Sequence, residues 1–203
     1  MRIYVASSWR NAQQPEVVEA LRAAGHEVYD FRHPKPGNDG FAWSAISPEW
    51  RSWNAEQFMA ALKHPVAEAG YALDFEAMEW ADVFVLVHPS GRSAHLEAGW
   101  ATGARKPVYV LLEEHGEPEL MLKLVEKDGG GLFRDLPTLV GALDSAGTGA
   151  ISTKTLATIS GLLEAAHTLA RLAVCNITKP NGRLVQLVRE AHSLLEDSKA
   201  AKL

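Results

Sequence analysis

The run "DVFVLVHP", residues 82–89, constrains the fold more than any other stretch of this chain. A strand with one wet face alternates apolar and polar residues. This one has almost no polar position, so both of its faces must be covered, as at the centre of a parallel sheet flanked by helices. Its surroundings fit that demand. "RIYVAS" reads as a first strand, about residues 3–6, and "PEVVEALRAAG" as a helix with Pro15 in its first turn and Gly25 at its end. "HEVYDF" reads as a second strand. The chain therefore opens β-loop-α-β, the signature of parallel strands joined by crossover helices.

The same alternation continues. "AEAGYALDFEAMEWA" reads as a helix before the central run, and "SAHLEAGWATGA" as a helix after it. "KPVYVLL" is the next strand. "GEPELMLKLVEK" and "DLPTLVGAL" read as further helices, with "GGGLFRD" as a short edge strand between them. Residues 33–65 lack this periodicity and carry Phe41, Trp43, Trp50, Trp53 and Phe58, as expected of a long loop with short helical turns. The expected fold is α/β: an open parallel sheet flanked by helices in three layers, with a C-terminal helical hairpin.

Three segments follow. Residues 1–144 make the α/β domain, 145–153 a linker and 154–203 the hairpin. Composition changes across the linker, since all six tryptophans lie in residues 1–100 and no aromatic ring of Phe, Tyr or Trp follows Phe133. Leu156, Ile159, Leu163, Ala166, Ala170 and Ala173 form one stripe of the hairpin. Leu184, Val188, Ala191 and Leu195 form the other. Two stripes need a partner surface, which makes the hairpin a candidate oligomerisation element.

Bulk properties exclude several function classes. The 203 residues include 47% hydrophobic and 22% charged residues, ordinary for a globular chain. A net charge of −5 argues against coating a nucleic acid, which needs a basic excess. The single cysteine, Cys175, cannot form an internal disulfide, so a reducing cytoplasm is the expected setting. The N-terminal apolar run is too short for a signal sequence, and no stretch is long enough to span a bilayer.

In an open parallel sheet, ligands bind beyond the carboxyl ends of the strands. Residues 7–14 and 89–92 are the loops placed there. Glu97 lies one turn into the helix after the second loop, where the helix dipole favours its ionised form. It is either a solvent-facing helix acid or a carboxylate held charged on a pocket floor. Its neighbours Ala94, Ala98, Gly99 and Ala101 favour close packing.

"IYVASSW", "DFEAM" and "SAHLEAGWATGARKPV", in that order, resemble the nucleoside 2-deoxyribosyltransferase superfamily, which includes the deoxynucleoside 5'-monophosphate N-glycosidases. The family pattern has Tyr in the first strand, D-x-x-x-[IM] opening a helical segment, and E-x-G before "KPV". Tyr4, Asp74 with Met78, and Glu97 with Gly99 match it. Trp9 matches an aromatic of the first loop. The resemblance covers about residues 1–112 and omits the hairpin.

It implies a glycosyl-enzyme intermediate on Glu97, passed to a second base or to water. Tyr4 would orient Glu97, and Asp74 would serve as proton donor or hydrogen-bond partner near the leaving base. The readings without the family are a core strand tyrosine for Tyr4 and a helix cap or first-turn acid for Asp74. It also implies a homo-oligomer, at least a dimer, and no cofactor or metal. One departure stands out. The transferases carry an acid shortly before the Glu, whereas Ser90, Gly91, Arg92 and Ser93 occupy that stretch here. Those groups suit an anion and shift the expected substrate towards a nucleoside 5'-monophosphate or another phosphorylated ribosyl compound. The bland reading makes Arg92 a surface charge and Ser93 an N-cap. Ser7, Ser8 and Arg10 are placed either to add to the same site or to contact the base. Trp43, Trp50 and Trp53 read either as walls for a base or as a satellite cluster. His88 and His95 show no metal-ligand spacing and read as satisfied structural histidines. The competing function class is a non-catalytic nucleotide-binding or signalling module with a TIR-like pocket.

Overall fold

The structure is a computed structural model and describes residues 1–147 apart from 117 and 127. β1 (Arg2–Ala6), β2 (Glu27–Asp30), β3 (Val83–Val87), β4 (Val108–Leu111) and β5 (Gly131–Phe133) form one parallel sheet in the spatial order β2–β1–β3–β4–β5. Strand order reverses direction at β1/β3, so a crevice opens beyond the carboxyl ends of those two strands.

Alternation along each strand assigns residues to two layers. Ile3, Val5, Val83, Val85 and Val87 pack with Val17 and Leu21 of α1 (Gln14–Ala23) and with Leu139 and Leu143 of α5 (Leu136–Gly147). Tyr4, Ala6, Phe84 and Leu86 face the other side. There they meet Met78 of α3 (Pro65–Trp80) and Ala94, Ala98 and Ala101 of α4 (Arg92–Gly103). Every residue of β3 is buried, which explains the unbroken apolar run.

Pro15 and Pro65 stand in the first turns of α1 and α3, where a missing N–H costs nothing. The far end of α3 is closed from outside. Lys106 Nζ donates to the carbonyls of Met78 at 2.8 Å, Glu79 at 2.7 Å and Ala81 at 2.6 Å. A cation satisfying the last carbonyls of a helix also complements its dipole. Lys106→Met is therefore expected to destabilise the fold by about 2 kcal/mol. Thermal unfolding would read this as a drop of roughly 5 °C.

Residues 33–65 hold more helix than the sequence announced. A seven-residue α2 (Ala55–Ala61) follows two 3-10 turns, Trp43–Ala45 and Trp50–Ser52. Asn54 and Gln57 form a reciprocal capping box, each side chain accepting the other's backbone N–H at 2.9 Å. Trp43 meets Phe41, Trp53 and Phe58 edge-on at ring separations of 4.8, 5.7 and 5.6 Å. These rings form a satellite cluster under the loop, and Trp50 instead lies beneath the Arg51 guanidinium.

Two expectations need correction. The stretch 116–127, read as a helix, contains a 3-10 segment, Leu120–Glu126. Only Val125 in it is buried, while Leu120 and Met121 stay exposed, so no core face rewards an α-helical stripe. Gly130 follows, its backbone so close to Val108 that a Cβ would lie 2.1 Å from that carbonyl oxygen. Secondly, α5 continues to Gly147 into the stretch read as linker, and within it Ser145 Oγ donates to Gly141 O at 2.8 Å. The rest of that linker and the expected hairpin lie outside the described residues. Among the described residues, no helix is long and apolar enough to cross a membrane.

Candidate active site

Parallel register places Tyr4 between Tyr29 of β2 and Phe84 of β3. Directly paired residues point to the same face, so three rings line up across the sheet on the α3/α4 side. Tyr4 stacks on Tyr29 with 5.3 Å between centroids and on Phe84 with 4.9 Å. The helices above this row each contribute one acid. On α4, Ala94, Glu97, Ala98 and Ala101 follow the i, i+3, i+4, i+7 spacing of a single stripe. The three alanines are buried against the sheet, and Glu97 comes down among them. On α3, Asp74 shares an inward stripe with Gly70, Ala77 and Met78. Trp100 joins the two helices by contacting Phe75 at 5.6 Å and Phe84 at 6.1 Å.

Four polar groups thus converge under two helices. Tyr29 Oη donates to Asp74 Oδ1 at 2.7 Å. The Tyr4 hydroxyl lies near Glu97 and opposes the rise in its proton affinity. Burial pushes the Glu97 carboxyl up to about 7, the Asp74 charge adds to that rise, and Tyr4 works against it. Burial likewise raises Asp74, with the Tyr29 hydrogen bond opposing. Both phenols are driven well above their ordinary range, first by burial and then by the two acids. They remain protonated donors at any working pH.

These facts correct the expected electrostatics of Glu97. The helix dipole does not keep it charged, because the dipole effect fades beyond the first turn while loss of water acts in full. Asp74 is neither a cap nor a first-turn acid. It lies well inside α3, which begins at Pro65 and has His64 as its N-cap, Nδ1 accepting the Val66 N–H at 3.2 Å.

The two loops at the strand ends differ in how their groups are used. Ser7 Oγ donates to Val87 O at 2.9 Å and accepts from Asn11 Nδ2 at 3.1 Å, tying the first loop to the end of β3. Arg32 donates to the carbonyls of Ser8 and Asn11 at 2.8 and 2.7 Å and braces that loop. Trp9 is half exposed beside Phe31, and Gly40 (φ +74°) fits under it only because it lacks a Cβ. Arg10 is exposed, and its backbone N–H donates to Ser8 Oγ at 3.2 Å.

In the second loop the N-cap of α4 is Gly91, not Ser93, and no side chain caps that end. Arg92 and Ser93 are exposed in the first turn. Ser90 Oγ lies 3.4 Å from His95 Nδ1, which is 3.0 Å from Gly91 O. His88 and His95 are less satisfied than expected. Their rings meet edge-on at 5.5 Å, and both Nε2 atoms are buried without a hydrogen-bond partner. Glu119 lies 3.6 Å from His95 Nε2. Among the described residues no group of three or more such side chains is arranged to hold a metal ion.

A cavity of about 260 Å³ opens beside Asp74 on the α3 side, walled by Tyr29, Phe31, Phe41, Gly70, Leu73 and Asp74 among others, and Glu97 does not line it. Sequence reasoning missed Tyr29. The available signal was a tyrosine at the third position of each of the first two strands, "RIYVA" and "EVYD", which parallel pairing brings side by side.

No protein-family model matches the chain, and no curated protein matches it. The chain is similar to several solved structures, two of which follow. The Clostridium botulinum CMP N-glycosidase BcmB is 18% identical at a TM-score of 0.40, and the match covers 71% of this chain and 99% of that one. A 2-deoxyribosyltransferase from the psychrotolerant bacterium Bacillus psychrosaccharolyticus is 22% identical at a TM-score of 0.46, covering 69% of this chain and 90% of that one. The likeness concerns the course of the chain.

Proposed function

We propose that this chain cleaves the N-glycosidic bond of a nucleoside or nucleoside 5'-monophosphate by double displacement, with Glu97 as nucleophile. The supporting observation is the pair of acids, Glu97 and Asp74, each served by its own tyrosine phenol at the strand-order reversal. The Glu97 carboxylate attacks the anomeric carbon. The carbon–nitrogen bond breaks, its electron pair leaves with the base, and protonated Asp74 supplies the proton. Water or a second base then attacks the same carbon, returns its proton to Asp74 and frees Glu97 as carboxylate. The cavity beside Asp74 has aromatic walls suited to a planar base.

The uncapped first turn of α4, with Arg92 and Ser93 exposed on it, suits a 5'-phosphate. A panel of nucleosides and their 5'-monophosphates, scored for free base with and without an acceptor base, tests both parts. Arg92→Ala is expected to raise KM for a monophosphate about tenfold, the worth of one charge-assisted hydrogen bond, and to leave the nucleoside unaffected. Equal effects on both substrates would remove the phosphate from the reading. Tight nucleotide binding with no base release from any compound would favour the signalling module instead.

A further inference from the structure

Tyr29 belongs to the strand that the motif pattern leaves out, yet its hydroxyl reaches 45 residues along the chain to Asp74 at 2.7 Å. Its ring has little freedom to do anything else. It lies nearly parallel to Tyr4, with 15° between planes, in direct register on the neighbouring strand. We infer that Tyr29 is a positioning residue that anchors the Asp74 carboxylate and thereby decides which of the two acids keeps the proton. The inference rests on the proposed reading of Glu97 as nucleophile and Asp74 as its proton-handling partner.

A buried phenol next to two acids does not ionise, so its proton points permanently at Asp74. An O–H donor to a carboxylate stabilises the charged acceptor more than the neutral one. Ionised Asp74 in turn makes Glu97 harder to ionise, because two like charges share a dry site. The titratable groups facing Asp74 are Tyr29 from β2, Tyr4 from β1 and Glu97 from α4, with Asp30 a further charge felt by Tyr29. Tyr4 favours ionised Glu97 and Tyr29 favours ionised Asp74. The two phenols thus compete over one proton, and deleting one hands the advantage to the other acid.

Tyr29→Phe keeps the ring and its stack on Tyr4 and removes only the donor. The limb of the pH–kcat/KM profile that reports Glu97 ionisation is expected to move about one pH unit lower. In an Asp74→Asn background the same change is expected to leave the limb where it is, because there is no carboxylate left to bias. A purely structural tyrosine would lower the rate at every pH and leave the limb unmoved, which would overturn the inference. Titration of ¹³C-labelled glutamate carboxyls by NMR reads the Glu97 shift without any substrate. A Glu97 titration identical in the Tyr29→Phe and wild-type proteins overturns the inference. Failure of the wild type to release base, with the NMR shift present, would instead sink the glycosidase reading alone.

Discussion

Glu97→Gln is expected to lower base release by at least about 10³-fold and to make the protein more stable above neutral pH. The first effect follows from removing the nucleophile, since the amide cannot form the glycosyl ester. The second follows from burial. An unfolded glutamate ionises near 4.5, whereas folded Glu97 holds its proton up to about 7. Between those values the folded state binds more protons than the unfolded one, so stability falls as pH rises through the window. Above it the wild type carries a penalty of about 3 kcal/mol that glutamine does not have. Melting curves at pH 4 and pH 8 check the sign: similar midpoints for the two proteins at pH 4, and a higher midpoint for the variant at pH 8. A variant less stable than the wild type at pH 8 would mean that Glu97 is held by favourable contacts, and the pressure on its charge would have been misread. Retained base release would remove it from the chemistry.

Asp74→Asn is expected to cost about 10²–10⁴-fold in kcat/KM, the usual contribution of a positioned acid. It also removes the charge that helps raise Glu97, so the rising limb of the profile should move to lower pH. The substrate dependence separates two roles for Asp74. As proton donor it matters little for a nucleoside whose base is already cationic, such as a 7-methylated purine, because that base leaves without protonation. As an orienting hydrogen-bond partner it matters equally for both. A loss confined to neutral bases supports the donor role. Unchanged rates for every substrate would show that the second acid takes no part.

On the proposed reading, Glu97, titrating at about 7, is only partly ionised at neutral pH, so the site holds part of its charge as bound protons. Bringing in a substrate excludes more water and tightens every interaction among Tyr4, Tyr29, Asp74 and Glu97. The stacked row Tyr29–Tyr4–Phe84 supplies the rigid floor on which such tuning depends, because ring stacking in strand register leaves the two hydroxyls fixed relative to each other.

Apart from α2, the order of the strands and helices up to β4, the buried central strand and the two loops at the carboxyl ends were legible in the sequence. They depend on local periodicity and on Pro and Gly punctuation, which a linear pattern carries in full. The same is true of the inward placement of Glu97, announced by alanines at helical spacing. The 3-10 segment at Leu120–Glu126 was not legible, because apolar spacing there promised a buried face that the fold leaves in water. Nor was the charge state of Glu97. The sequence by itself determined that an acid sits near the start of a helix at the mouth of a parallel sheet. Only the tertiary structure decided that this acid holds its proton up to about pH 7 and that Tyr29 and Asp74 are partners. Proton affinity is set by what excludes water from a group and by which charges stand across from it. Those neighbours come from β1, β2, α3 and α4, brought together by strand pairing over distances that no local pattern encodes.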